Sequence, residues 1–368
     1  MKIAIIGSGS SASITAAYIH RYNRECEIEI YHDSKINIEP VGQASLLNAC
    51  ALFFETYGWD WYDNPIQAVI KTGTTYEGWG KKKDIFFHAF PMESVGMHFI
   101  PNLLSDHLLN CGLYKVFEKN ISNPEEDIDA DWIYDCRGRS QLDYDNYDTI
   151  TNPLNSVIIG RGDHDPDLAW TRSIATPDGW TFGIPNKDSV SYGYLYNNTV
   201  TDKETAIENF KEQFGLDVIN SFSFKNYKAK SVWSGKKTIL NGNKYAFVEP
   251  LEATSMAMYQ YIAGITTAFI FDVNNYNDNS PYKIIDGKIN DHIKGVEDFL
   301  FWHYQFGSKY DTPFWKMAKD MEYDYSSEFI DGIEYARQNN VQDLLLHPKN
   351  CSQWESYNIK NWLDNVVI

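Results

Sequence analysis

The chain opens on an apolar run, Lys2 to Ile6, passes through Gly7-Ser8-Gly9-Ser10-Ser11-Ala12, and continues into Ile14 to Ile19, where apolar residues fall at helical spacing. That order predicts a strand, a tight turn and a helix whose small residues face a sheet. Cys26 to Tyr31 alternates polar and apolar positions, predicting a second strand that ends at His32-Asp33. From Asn37 to Trp79 no period dominates, and Lys81-Lys82-Lys83-Asp84 predicts an exposed turn. Asn102 to Cys111 has helical periodicity, and Trp132 to Cys136 predicts a later strand running into Arg137-Gly138.

Between Ser156 and Tyr196, β-branched and aromatic residues alternate between turn residues, which predicts a strand-rich middle, and Thr201 to Phe214 returns to helix. The longest apolar stretch, Met256 to Phe271, is interrupted by Gln260, Thr266 and Thr267. It is too short to cross a bilayer and predicts a buried helix. Asn274 to Tyr282 is polar and turn-rich, as in a linker, and the remainder to Ile368 is mostly helical in pattern. The fold class is therefore α/β (α+β), with two interleaved units.

Composition narrows the partners. The 368 residues carry 32 basic and 50 acidic side chains, a formal charge of -18, which repels nucleic-acid backbones and anionic lipid surfaces. No nucleic acid and no membrane is expected. Aromatics make up 15%, enough to build a core and also line pockets for planar ligands. Five scattered cysteines contain no Cys-x-x-Cys pair, so neither a disulfide framework nor a metal site is expected, and a reducing cytoplasmic compartment fits. The first residues already form a strand pattern, so no signal peptide is expected.

The glycine turn carries the first candidate chemistry. Glycines let backbone N–H groups approach a pyrophosphate, and the helix that follows points its positive end at the charge. Gly7, Ser8, Gly9, Ser10, Ser11 and Ala12 are the candidate contacts, with Ala12 at the third glycine position, and Asp33 is placed to meet a ribose, although either it or the neighbouring His32 could face the adenosine. A simple tight turn and a solvated strand end would look alike. A second signature, Asp135-Cys136-Arg137-Gly138, is similar to flavoproteins of the hydroxybenzoate hydroxylase class, which favours FAD over NAD. A third, Phe247-Val248-Glu249-Pro250-Leu251-Glu252-Ala253-Thr254-Ser255, sets a proline and acids just ahead of a helix start, where backbone N–H groups bind anions.

That third segment resembles the flavin and halide loop of the flavin-dependent tryptophan halogenases, and further resemblances run in the same order. Val41-Gly42-Gln43-Ala44-Ser45 is similar to the family's flavin loop, with Gln43 replacing a glutamate. Lys71 with Tyr76 and Trp79 resembles the catalytic lysine segment, and His88-Ala89-Phe90 resembles a substrate-facing element. Gly179-Trp180-Thr181-Phe182-Gly183-Ile184-Pro185 is similar to the Trp-x-Trp-x-Ile-Pro signature, with Phe182 at the second tryptophan. Gly193-Tyr194-Leu195-Tyr196, His303-Tyr304 and Asp311-Thr312-Pro313-Phe314-Trp315 resemble later family segments.

The resemblance implies a short member of the family, with an FAD-binding Rossmann-like domain, an interleaved β-sheet substrate domain and a helical C-terminal part. The division expected is 1-50, 90-150 and 240-275 for FAD, and 51-89, 151-239 and 276-368 for substrate. Reduced FAD, molecular oxygen and a halide ion (chloride, bromide or iodide) would give hypohalous acid, relayed to Lys71 for electrophilic halogenation of an indole or phenol. Lys71 and Glu252 are the implied catalytic pair, Thr254 and Ser255 the halide turn, and His88 and Phe90 the substrate contacts. By the same resemblance, Trp180 and Phe182 would form a barrier between substrate and flavin. Val41, Gln43, Ala44, Glu249 and Pro250 join the glycine turn and Asp33 around FAD. The small aromatic substrate and a separate flavin reductase are the implied partners, and a homo-oligomer is compatible. An aromatic monooxygenase of the same fold, or a noncatalytic flavin-binding relative, remains open at this point.

Overall fold

The computed structural model describes every residue except 39–42, 46, 81, 91–93, 140, 141, 143, 273–279 and 367–368; the side chain of residue 350 is likewise left aside. Chain contacts divide it into two compact units: residues 1–70, 95–149 and 227–290, and residues 71–94, 150–226 and 291–368. The division departs from the expected one at 51–70, 227–239 and 276–290, which fall in the first unit, and at 90–94 and 150, which fall in the second.

In the first unit, among the described residues, a five-stranded parallel sheet runs in the order Thr238–Leu240, Trp132–Asp135, Lys2–Ile6, Glu27–His32, Lys115–Glu118. The helix Ser10–Tyr22 connects the first two strands of the sequence, a βαβ crossover. Its residues Ser10 to Ala17 are all buried, and their small side chains let the helix pack closely against the helix Thr254–Asp272. That second helix is the long apolar stretch, and its threonines have work inside the core. Thr266 Oγ1 donates back to the Ile262 carbonyl at 2.6 Å and lies 2.8 Å from the Tyr134 hydroxyl, so the buried phenol of the central strand is satisfied. No helix among the described residues is long and apolar enough to cross a membrane.

The region from Asn37 to Trp79, patternless in sequence, contains the helix Ala49–Tyr57 and the strands Val69–Lys71 and Gly73–Glu77. The helix is only nine residues long and starts from Asn48 at φ 71 with no side-chain cap, so it lacks the start signals by which a helix is read from sequence. Most of the expected linker, 274–279, lies outside the described residues, and Ser280–Phe306 is a helix.

In the second unit, among the described residues, seven strands pair in the order Val218–Ser223, Ser156–Asp163, Ser189–Tyr196, Gly179–Pro185, Thr171–Thr176, Gly73–Glu77, Ile85–Ala89. All pairs are antiparallel except Thr171–Thr176 with Gly73–Glu77. Every residue of Gly179–Pro185 is buried, so this strand is covered on both faces. The helices Pro313–Asp320, Ser327–Gln338 and Ser356–Asn365 belong to the C-terminal part of this unit.

Candidate active site

In the first unit the glycine turn builds a cavity of about 310 Å³ at the carboxyl ends of the parallel strands, lined by Gly7 to Ser11, Asp33, Gln43, Arg137 and Arg139 among others. Gly7 sits at φ +117, and a Cβ there would lie 2.7 Å from the Cys136 carbonyl oxygen, so only glycine fits where the strand enters the turn. Its N–H donates to the Tyr31 carbonyl at 2.7 Å, tying the turn to the second strand. Gly9 is different. It caps the helix Ser10–Tyr22 without a side-chain hydrogen bond, and a Cβ on it would meet nothing within 4 Å. Its bare backbone therefore leaves room for a ligand at the positive helix end.

Asp33 is held at the rim, where Oδ1 accepts from the Lys35 N–H and Oδ2 accepts from Asn120 Nδ2 at 2.9 Å. Gln43 Oε1 accepts from the Ser10 hydroxyl at 2.5 Å, at the first residue of the helix. Ala44 follows it on the strand Gln43–Ala44, opposite His98, while Val41 lies outside the described residues. Asp135 is 2% exposed, and its carboxylate is grasped by the Arg137 guanidinium at two points, 2.9 and 2.7 Å. The Asp135 motif thus shapes the end of its strand and presents Arg137 to the cavity. Lys119, Asn120, Asn243 and Tyr259 also line it. Sequence reading missed Lys119 and Asn120 because Lys115–Glu118 is a four-residue edge strand without a clear alternation of buried positions.

These residues fit FAD. The open backbone at Gly9, the uncapped helix start and the acid at the end of the second strand are the donor and acceptor set that a dinucleotide requires.

The loop before the helix Thr254–Asp272 is backbone-defined. Glu252 (φ 66) and Ala253 (φ 53) are both left-handed, which turns the chain sharply between Pro250 and Thr254. Glu249 is fully buried, and its Oε2 accepts the Leu251 N–H at 3.0 Å, bracing the turn from inside. Thr254 is 2% exposed, and its hydroxyl finds no hydrogen-bond partner among the described residues. Ser255 is half-buried beside it.

In the second unit Lys71 is 1% exposed, and its ammonium lies 5.3 Å from the centre of the Phe90 ring. His88 faces the interior from Ile85–Ala89, with burial as the first cause, then His303 and Lys71, pushing its imidazole down to about 4. Its Nε2 is 2.5 Å from Asn358 Nδ2. Tyr76 stacks on Phe86 at 5.0 Å, and Trp362 meets Tyr76 edge-on at 4.8 Å. Trp79 and Trp315 are anchored through their indole N–H groups to the Ser173 and Thr176 carbonyls at 3.0 and 2.8 Å. Trp180 and Phe182 project from one strand with centroids 6.2 Å apart. Phe182 lies over Gly193, where a Cβ would come 2.1 Å from the ring. The structure thus groups Lys71, His88 and Phe90 in one unit, and the glycine turn, Asp33, Gln43 and the Glu252 loop in the other.

The sequence profile of the tryptophan halogenases matches residues 2–105 and 117–363, nearly the whole chain. The protein belongs to the tryptophan halogenase family. Within the family it is 28% identical over 267 residues to tryptophan 7-halogenase RebH of Lentzea aerocolonigenes, covering 61% of this chain and 48% of that protein. It is 27% identical over 180 residues to tryptophan 6-halogenase ThaL of Streptomyces albogriseolus, covering 46% and 33%. The chain therefore matches about half or less of the length of these relatives. The flavin-dependent halogenase Xcc4156 of Xanthomonas campestris shares the fold, with a TM-score of 0.83 at 18% identity, over 100% of this chain and 89% of that one.

Proposed function

We propose that this member of the tryptophan halogenase family is a flavin-dependent halogenase acting on a small, electron-rich aromatic substrate. The observation that carries the reading is Lys71, buried at 1% exposure and held over Phe90 beside a neutral His88. A lysine confined in this way is aimed at a neighbour rather than solvated, and lysines are rarely buried without a task.

When bound, reduced FAD supplies the electrons by which molecular oxygen and a halide give hypohalous acid. The chain's residues do the rest. Gly7 to Ser11 and Asp33 hold the cofactor, with Gln43 fixing the helix start. Thr254 and Ser255, at the positive end of their helix, hold the halide. The Lys71 ammonium receives the oxidant by hydrogen bonding and directs electrophilic halogen at the ring of the substrate, which His88 and Phe90 orient. Glu252 stabilises positive charge developing on that ring. Trp180 and Phe182 exclude the substrate from the flavin. A separate reductase delivers the reduced flavin.

The test is mass spectrometry of products formed with a flavin reductase, oxygen, a panel of indoles and phenols, and chloride, bromide or iodide in turn. A halogen mass shift that disappears in Lys71→Ala, with FAD binding retained, is the expected result. Addition of one oxygen without halogen would overturn the reading in favour of a monooxygenase.

A further inference from the structure

His88 is the one imidazole of the second unit that meets a side chain of the helix Ser356–Asn365 by a described hydrogen bond, through Asn358. The direction of that bond can be settled from the other end of the amide. Asn358 is the third residue of its helix and part of a capping box: its Oδ1 accepts the Glu355 backbone N–H at 2.8 Å. An N–H cannot be accepted by an amide nitrogen, so the oxygen must face Glu355. The NH2 group is thereby turned to His88, and it can only donate. At 2.5 Å, His88 Nε2 must therefore be the acceptor, without a proton of its own.

We infer that Asn358 is a positioning residue for His88, whose side-chain amide holds the imidazole as the neutral tautomer with its proton on Nδ1. This rests on the reading that His88 and Lys71 belong to the halogenation site. The other titratable groups around the ring agree with a neutral state. His303 from the helix Ser280–Phe306 and Lys71 from the strand Val69–Lys71 both oppose a charge on His88. The phenols of Tyr76 at 6.4 Å and Tyr357 at 6.5 Å are among the aromatic neighbours of the ring. The repulsion is mutual, so a proton gained at Nε2 would set a cation against the Lys71 ammonium and break the Asn358 bond in one event. The C-terminal helix thus sets which nitrogen of His88 carries the proton beside Lys71.

The experiment uses full-length protein labelled with 15N-histidine, with the His88 signals assigned by comparison with His88→Gln. Two-bond proton–nitrogen spectra should show the Nδ1–H pattern for His88 at pH 7. In Asn358→Asp the carboxylate keeps an oxygen for the Glu355 N–H but presents an acceptor to His88. Nε2 should become protonated, and the His88 midpoint should rise by about one to two pH units. An acid in the first turn favours the helix, so this variant keeps its fold. The acidic limb of its halogenation pH profile should move upward with the midpoint, and Asn358→Gln should move neither by as much.

An Nε2–H pattern in the unaltered protein, or an unchanged midpoint in Asn358→Asp, overturns the inference. If the spectra behave as stated but no aromatic is halogenated by any form of the enzyme, the tautomer assignment stands and the functional reading falls.

Discussion

The Ser10 hydroxyl donates to Gln43 Oε1 at 2.5 Å, joining the first residue of the helix after the glycine turn to a strand 33 positions further on. Both residues line the same cavity. Gln43 occupies the position at which the resembled loop has a glutamate, and as an amide it accepts this bond without adding charge to the cavity wall. Gln43→Ala removes the acceptor and leaves a nearly buried hydroxyl to find another. A loss of about 1 kcal/mol is expected, seen as a two- to tenfold rise in the Kd for FAD by fluorescence titration. An unchanged Kd would detach Gln43 from the cofactor site.

The two glycines of the turn should separate folding from cofactor binding. Gly7→Ala meets a left-handed backbone and the Cys136 carbonyl at once, so thermal unfolding of the apoprotein should drop by more than about 2 kcal/mol in stability. Gly9→Ala has open space around it, so the apoprotein should unfold within about 0.5 kcal/mol of the unaltered one. On the proposed cofactor site its FAD affinity should nonetheless fall by about tenfold or more, because the new methyl group would stand in the open space at the helix start where a phosphate would lie.

The depressed histidines make a prediction about acid. His88 is pushed down to about 4 in the fold, chiefly by burial, against 6.5 in the unfolded chain. His292 is likewise held at about 4 by burial. As pH falls below 6.5 the unfolded state takes up protons first, so the stability these groups contribute is present in full above that pH and is lost progressively toward pH 4. Between pH 7 and pH 5 each group should cost about 2 kcal/mol. Urea denaturation should show that His88→Gln loses about that much less than the unaltered protein over the same interval.

Gly193 is the floor under Phe182. Gly193→Ala must tip the ring, because the added carbon would lie 2.1 Å from it. A cost of about 1–3 kcal/mol in stability is expected. If Phe182 is part of the barrier, the variant should also turn over more reduced flavin per halogenated product, measured as oxygen consumed against product formed. Unchanged coupling would leave Phe182 as core packing alone.

Much of the fold was legible where burial and local chemistry agree. Lys2–Ile6, the glycine turn and Ser10–Tyr22 announce themselves because a period, a turn residue and small helix-facing side chains coincide. Thr254–Asp272 was visible from its apolar length, although the reason for its threonines, the Tyr134 hydroxyl, appears only once the sheet is assembled. The helix Ala49–Tyr57 was invisible because its start is a left-handed asparagine rather than a side-chain cap. Family segments marked His88 and Lys71, but Asn358 lies 270 residues from its partner. No local pattern could connect them. Arg137 was read as part of a strand-to-turn motif, and its place on the cavity depends on the bidentate grip of Asp135.

Glu252 and Ala253, the consecutive left-handed pair ahead of Thr254, are residues for which that backbone is uphill by about 1 kcal/mol or more each. A glycine at either place would relax the turn and stabilise the protein, yet at Glu252 it would also delete the carboxylate proposed for catalysis. The loop is thus maintained by the packing around it, with Glu249 buried behind it, and not by its own preference. Its geometry is consequently a reporter of the surrounding core: a change that loosens the packing around the buried Glu249 also loosens the brace that holds this turn in an uphill conformation.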